Sequence, residues 1–171
     1  MLFEMFDIFV VAVNQIDLNP FGVQDRADDG ADRLPEDLDV YEKMSIFFRK
    51  ALCFLNQEMG KDLMKVMYSS ALTSNEHSYF LNEKRKLTHI FIYFAREILK
   101  KKQIEPMEYR IQEVLSILTQ CMMGMIYHWC IRKDERSLED HAKDAIVVMI
   151  EGLKNWNMAD QTDARQAILV E

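Results

Sequence analysis

Glycine and proline are scarce in this chain: five glycines and three prolines serve 171 residues, and long stretches contain neither. A β-rich fold needs many tight turns, and tight turns draw on those two residues for their special φ values. With so few of them, the chain is expected to run in long helices, as an all-α fold. Its length fits one domain, a size at which roughly 70% of the unfolded surface can be buried. Hydrophobic residues at 49% beside 29% charged ones supply both a core and a solvated exterior.

Apolar periodicity divides the chain. Residues 2–17 place Leu2, Phe6, Phe9, Val13 and Ile16 at helical spacing, an amphipathic helix with a wide apolar face. Residues 18–37, "LNPFGVQDRADDGADRLPED", hold two of the prolines and two of the glycines and read as an acidic loop. A second helix is expected from about Leu38 to Met59, with Tyr41, Met44, Phe47, Phe48, Ala51, Leu52 and Leu55 on one stripe and Gly60 ending it. A shorter helix follows with Leu63, Val66, Met67 and Ala71 inward. "TSNE", Thr73–Glu76, has the capping-box pattern and opens a long helix to about Lys102, with Leu87, Ile90, Phe91, Phe94 and Ile98 as its stripe. Its closing Lys100, Lys101 and Lys102 suit the negative end of the helix dipole. Pro106 stands at the first turn of a helix running to about Lys133. "SLED", Ser137–Asp140, caps a last helix to about Trp156. Residues 1–156 form the domain, and 157–171 are expected to be a loose tail.

The helix near 107–133 is the most informative. Ile111, Leu115, Leu118, Met122, Met125 and Trp129 recur at steps of four and three, one continuous apolar stripe. Beside it Gln112, Ser116, Thr119, Met123, Tyr127 and Cys130 form a second stripe of mixed size. Gly124 in mid-helix costs about 1 kcal/mol against Ala, which the close approach of another helix would explain. On the last helix Ala142, Ala145, Met149 and Gly152 make a low-relief stripe. A single core does not easily cover both faces, so the last two helices are expected to pack on the same two of a second chain as a four-helix homodimer interface. Its residues would be Ser116, Thr119, Met123, Tyr127, Cys130, Ala142, Ala145, Met149 and Gly152. The alternative keeps both stripes inside a monomer.

Several kinds of chemistry are disfavoured. A net charge of −7 makes this chain alone a poor binder of nucleic-acid phosphates. Cys53, Cys121 and Cys130 are odd in number and unpaired in spacing, which reads as reduced thiols and a cytoplasmic location. Glu4 and Asp7 stand where a signal peptide needs basic residues. The eighteen uncharged residues 114–131 just reach spanning length, but Ser116, Thr119, Gln120 and His128 make a poor lipid face, so a buried helix and no membrane are expected.

No metal is expected either. His128 and Cys130 point about 200° apart on a helix and cannot share one ion. His141 and Asp144 lie one turn apart without the repeated Glu-x-x-His pairs of a di-iron bundle. Asp25, Asp29, Gly30 and Glu36 fall at EF-hand positions, but Ala27, Asp32 and Pro35 break the pattern and leave an acidic linker. Without a convergent acid–base set, phosphate loop or dinucleotide fingerprint, neither an enzyme nor a cofactor is expected.

With these features, "GMIYHWCIRKDERSLEDHAKDAIVVMIEGLKN" resembles the penultimate helix, short polar turn and last helix of the TetR family of transcriptional regulators, where a Gly, an aromatic, a Trp-Cys pair and a Leu in the turn recur. "MLFEMFDIFV" is similar to that family's fourth helix, and "LKKKQIEPME" falls at its "GQ-x-x-G-E-I" turn without the glycines. The resemblance covers about residues 1–155. It implies a regulatory domain of about six helices that dimerises through its last two, holds a small-molecule pocket in each subunit and moves two DNA-reading heads when ligand binds. The sequence begins where the helix-turn-helix head ends, as a regulatory-domain piece, a headless member or a shifted start would.

Twelve methionines and the many aromatics suit an adaptable pocket between helices. An apolar or aromatic effector is expected among Phe6, Phe9, Val13, Phe47, Ala51, Met67, Phe91, Phe94, Met122 and Met125, with Trp129 at one end and Tyr93 and Arg96 offering polar contacts. The alternative function is an interaction protein that pairs with a full-length regulator and blocks its DNA binding.

Overall fold

A computed structural model describes residues 38–73 and 86–157. Expectations for residues 1–37, among them the first helix, Phe6, Phe9, Val13 and the acidic loop, lie outside the described residues, as do positions 74–76 of "TSNE" and the tail beyond 157. Thr73, expected to cap the following helix, is instead the last residue of the helix Gly60–Thr73, its hydroxyl donating back to the Ser69 and Ser70 carbonyls. The described residues are helical, with no strand: α1 Val40–Phe54, a π-helical turn Leu55–Met59, α2 Gly60–Thr73, α3 Lys86–Lys101, α4 Glu108–Ile131 and α5 Leu138–Asn155. α1 packs on α5, α3 on α4, α2 on α4, and α4 on α5.

Local chemistry sets the boundaries. At the start of α1 the Glu42 carboxylate accepts the Asp39 N–H at 3.0 Å, filling one of the backbone donors a helix start leaves open. The π-helical turn brings Leu55 and Met59 inward together before the chain breaks at Gly60, whose φ of 69° suits a residue without Cβ. α2 is rotated by about one position from the sequence reading. Met64 and Met67 are buried and Leu63 is half-buried, while Val66 is 54% exposed.

The turn after α3 closes without glycine. Gln103 takes φ 57°, its N–H donates to the Lys100 carbonyl, and the Ile104 N–H reaches back to the Leu99 carbonyl at 2.9 Å. This is a Schellman-type stop with a side chain at the left-handed position glycine usually holds. Of the three lysines, Lys101 pairs with Asp39 at 2.6 Å, and Lys102 donates to the carbonyls of Lys154 and Trp156 at the end of α5. Lys102 thus serves the C-terminus of a different helix.

Met107 is the N-cap of α4, so Pro106, expected in the first turn, lies just outside the helix. At α5 the Ser137 hydroxyl accepts the Asp140 N–H at 3.1 Å, and Asn56 from the π turn accepts the Leu138 N–H at 3.2 Å. The Asp140 carboxylate accepts from the Ser137 hydroxyl at 2.9 Å. Asp is too short for the reciprocal backbone contact that Glu makes in a full box.

The core draws on all five α-helices, with a cluster of rings where α1 meets α3. Phe47 meets Phe48, Phe91 and Phe94 edge-on at centroid distances of 5.8, 6.1 and 5.6 Å, and Phe48 stacks on Phe91 at 5.7 Å. These spacings are the favourable ones for aromatic pairs. Met44, Met59, Met64, Met67, Met122 and Met125 fill the space around the rings and between the helices.

Candidate functional site

Residues 132–137 join α4 to α5 as a short turn, so the two helices run antiparallel as neighbours. Side chains from both helices and from α2 hold that turn. The Trp129 indole N–H donates to the Arg136 carbonyl at 3.0 Å. Lys61 lies 5.2 Å above the Trp129 ring and donates to the Asp134 carbonyl at 2.7 Å. The Asp134 carboxylate pairs with Arg136 and Arg132 at 3.0 and 3.2 Å, and those guanidiniums, Arg136 first, hold it down to about 2.

The outward side of the α4–α5 pair is a candidate interaction face. Ser116, Gln120, Gly124 and Tyr127 are exposed along α4, and Ala145, Val148 and Gly152 along α5. Val148 is 71% exposed and Tyr127 47%. A Cβ added at Gly124 or Gly152 would meet nothing within 4 Å, so no neighbour in the described chain requires a glycine at either place. Toward the far end an open groove of about 1030 Å³ runs between the helices. Ile117, Cys121, Met149, Leu153 and Trp156 give it apolar walls, with Ser116, Gln120 and Gly152 among its lining.

The residues expected at an interface divide between two environments. Ser116, Tyr127, Ala145 and Gly152 are exposed, Thr119 and Met123 half-buried, and Cys130, Ala142 and Met149 buried. The low-relief stripe of α5 is thus split: Ala142 and Met149 are buried in the chain's own core, and Ala145 and Gly152 are exposed. Val148, among the described residues the most exposed of the large apolar side chains, does not stand out in the sequence because it lies inside the apolar run "AIVVMI", where periodicity discriminates poorly. Tyr68 adds a contact from α2. Its hydroxyl donates to the Met123 carbonyl at 2.8 Å, its ring lies 5.9 Å from Tyr127, and burial pushes its ionisation well up.

Of the expected ligand-pocket residues, Phe47, Ala51, Met67, Phe91, Phe94, Met122, Met125 and Trp129 are buried and Tyr93 is half-buried beside Phe94. The four phenylalanine rings of α1 and α3 pack on one another. Arg96 is exposed.

His128 and His141 come together across the hairpin, with His141 Nε2 2.8 Å from His128 Nδ1 and ring centroids 4.8 Å apart. The sequence held the clue: each is the fourth residue from the turn, so an antiparallel hairpin lays them side by side. Burial, then the neighbouring His128, lowers the ionisation of His141. Burial raises the thiols of Cys53, Cys121 and Cys130, which keeps them protonated and poorly nucleophilic.

Among the described residues no three of His, Cys, Asp and Glu gather as a metal site. α4 is long and apolar enough to cross a membrane by length and composition, a test that core helices of soluble proteins also pass. Its Ile111, Val114, Leu118, Met122, Ile126 and Trp129 are buried within the chain. No protein-family model, curated protein or solved structure matches the chain.

Proposed function

We propose that this chain is the regulatory domain of a TetR-like transcriptional regulator, homodimerising through α4 and α5 and sensing a small apolar or aromatic effector in the cytoplasm. DNA would be read by a helix-turn-helix head joined to such a domain. The observation that carries the dimer is the pair of exposed glycines, Gly124 within α4 and Gly152 in the last turn of α5, each with open space where a Cβ would stand. Gly124, in the helix interior, costs about 1 kcal/mol against Ala, and neither glycine meets a neighbour of its own chain. The close approach of a second copy's helices, burying Val148 and Tyr127, accounts for both.

Effector sensing draws support from the methionines buried around the core, because Met repacks at low cost to admit varied ligands. An effector would open the space between α1, α3 and α4 and select the arrangement of subunits that it binds better. Sedimentation velocity tests the dimer: a chain that stays monomeric at tens of micromolar would end that reading. Thermal shift against apolar aromatic compounds tests sensing, since a ligand at 100 times its Kd adds about 2.7 kcal/mol of stability.

The closed phenylalanine cluster favours a second reading, an interaction protein that pairs with a full-length regulator and blocks its DNA binding. Failure of every such compound to raise Tm, together with dimerisation, would favour it over the sensor.

A further inference from the structure

The proton positions of the histidine pair follow from its geometry. His141 Nδ1 is buried and has no hydrogen-bond partner. A buried N–H without a partner is rarer in folded proteins than a buried acceptor without one. The tautomer assigned on this ground is therefore Nε2–H on His141, donating to the lone pair of His128 Nδ1 at 2.8 Å. The remaining proton of His128 sits on its own Nε2. If the intact pair gains one more proton, both nitrogens of the contact can share only one, and His128 Nε2 is already filled. The extra proton must go to the buried Nδ1 of His141.

We propose that His128 and His141 form an acid-opened latch between α4 and α5, closed while the pair is neutral and released when the pair takes up a proton. Once protonated, a ring lowers its energy by swinging out to water, which undoes the contact that joins α4 to α5 at His128 and His141. The charges facing the pair are Arg132 at the end of α4 and Arg136 and Asp134 in the turn. The two arginines oppose protonation of His141 and Asp134 favours it, though Asp134 is itself held by both. On its own helix Asp144 stands one turn farther on. The latch adjoins Gly124 and Tyr127 on α4 and Ala145 on α5, so its release would reshape the proposed dimer face. That last consequence rests on the homodimer reading; the latch does not.

A divalent metal is a poorer occupant. Chelation by His128 Nδ1 and His141 Nε2 would use both lone pairs and again drive a proton onto the buried Nδ1.

NMR of the imidazole nitrogens in the full chain, from pH 8 to pH 5, reads the rings whatever the oligomeric state. The expected result is His141 protonated at Nε2 at pH 8, titrating below the ordinary value of 6.5. Backbone signals of Gly124, Tyr127 and Ala145 should move over the same range. H128A should raise the His141 midpoint and shrink that movement. A proton on Nδ1 at pH 8, a midpoint at or above 6.5, or an unchanged midpoint in H128A would overturn the latch. So would Zn2+ alone shifting both rings at stoichiometric concentration, which would make the pair a metal site. A chain monomeric throughout the titration would end the dimer reading and leave the ring measurements to decide the latch.

Discussion

Along α4, Ile111, Val114, Leu118, Met122 and Trp129 are buried, while Ser116, Gln120, Gly124 and Tyr127, on the far side of the same helix, are exposed. The inner residues interlock with neighbouring helices, so any change in their volume leaves a cavity or a clash. On the outer face, small residues leave open space and a groove. One helix therefore carries two kinds of information: the inner side specifies the fold of the chain, and the outer side is the face through which we propose that it dimerises.

The largest expected effect tests the inner side. Phe47→Ala removes a ring in contact with three others and should cost about 3–5 kcal/mol in urea unfolding. A loss below 1 kcal/mol would mean that the cluster is looser than its ring distances indicate, and would favour a pocket there. Tyr68→Phe removes the hydrogen bond to the Met123 carbonyl and should cost about 1 kcal/mol, read the same way.

The outer side responds with opposite signs in two measurements. Gly124→Ala should stabilise the isolated subunit by about 1 kcal/mol, because nothing blocks the added Cβ. The same change should weaken self-association in sedimentation, since the methyl would hold a partner helix away. If association is unaffected, the glycine is not at an interface. Gln103→Gly is a control away from both faces. It relieves a side chain at φ 57° and should stabilise by about 1 kcal/mol without altering association.

The smallest expected effect is on acid stability. The folded-state ionisation of His141 is lowered, so in acid the unfolded chain binds a proton that the folded chain refuses. Its contribution is whole above pH 6.5 and declines as pH falls below that value toward the folded-state midpoint. Unfolding midpoints at pH 7.5 and 5.5 should differ less in His141→Phe than in the original chain. Equal differences would show that the ring has no such linkage.

The sequence alone determined the helical class, from its few turn residues, and most of the core, from apolar steps of three and four. Gly60 and Ser137 marked their boundaries because a positive φ and an unfilled N–H have local remedies. What it left undetermined depends on rotation and proximity. A phase error of about one residue decides whether Val66 or Met64 faces inward, and whether Met149 or Val148 faces outward, since neighbouring apolar residues give periodicity nothing to separate. Likewise Lys102 on the end of α5, Asn56 on the start of it, and His128 against His141 join residues far apart in the chain or across a turn. Such contacts form only when packing has fixed how the helices lie, so only the tertiary structure could decide them.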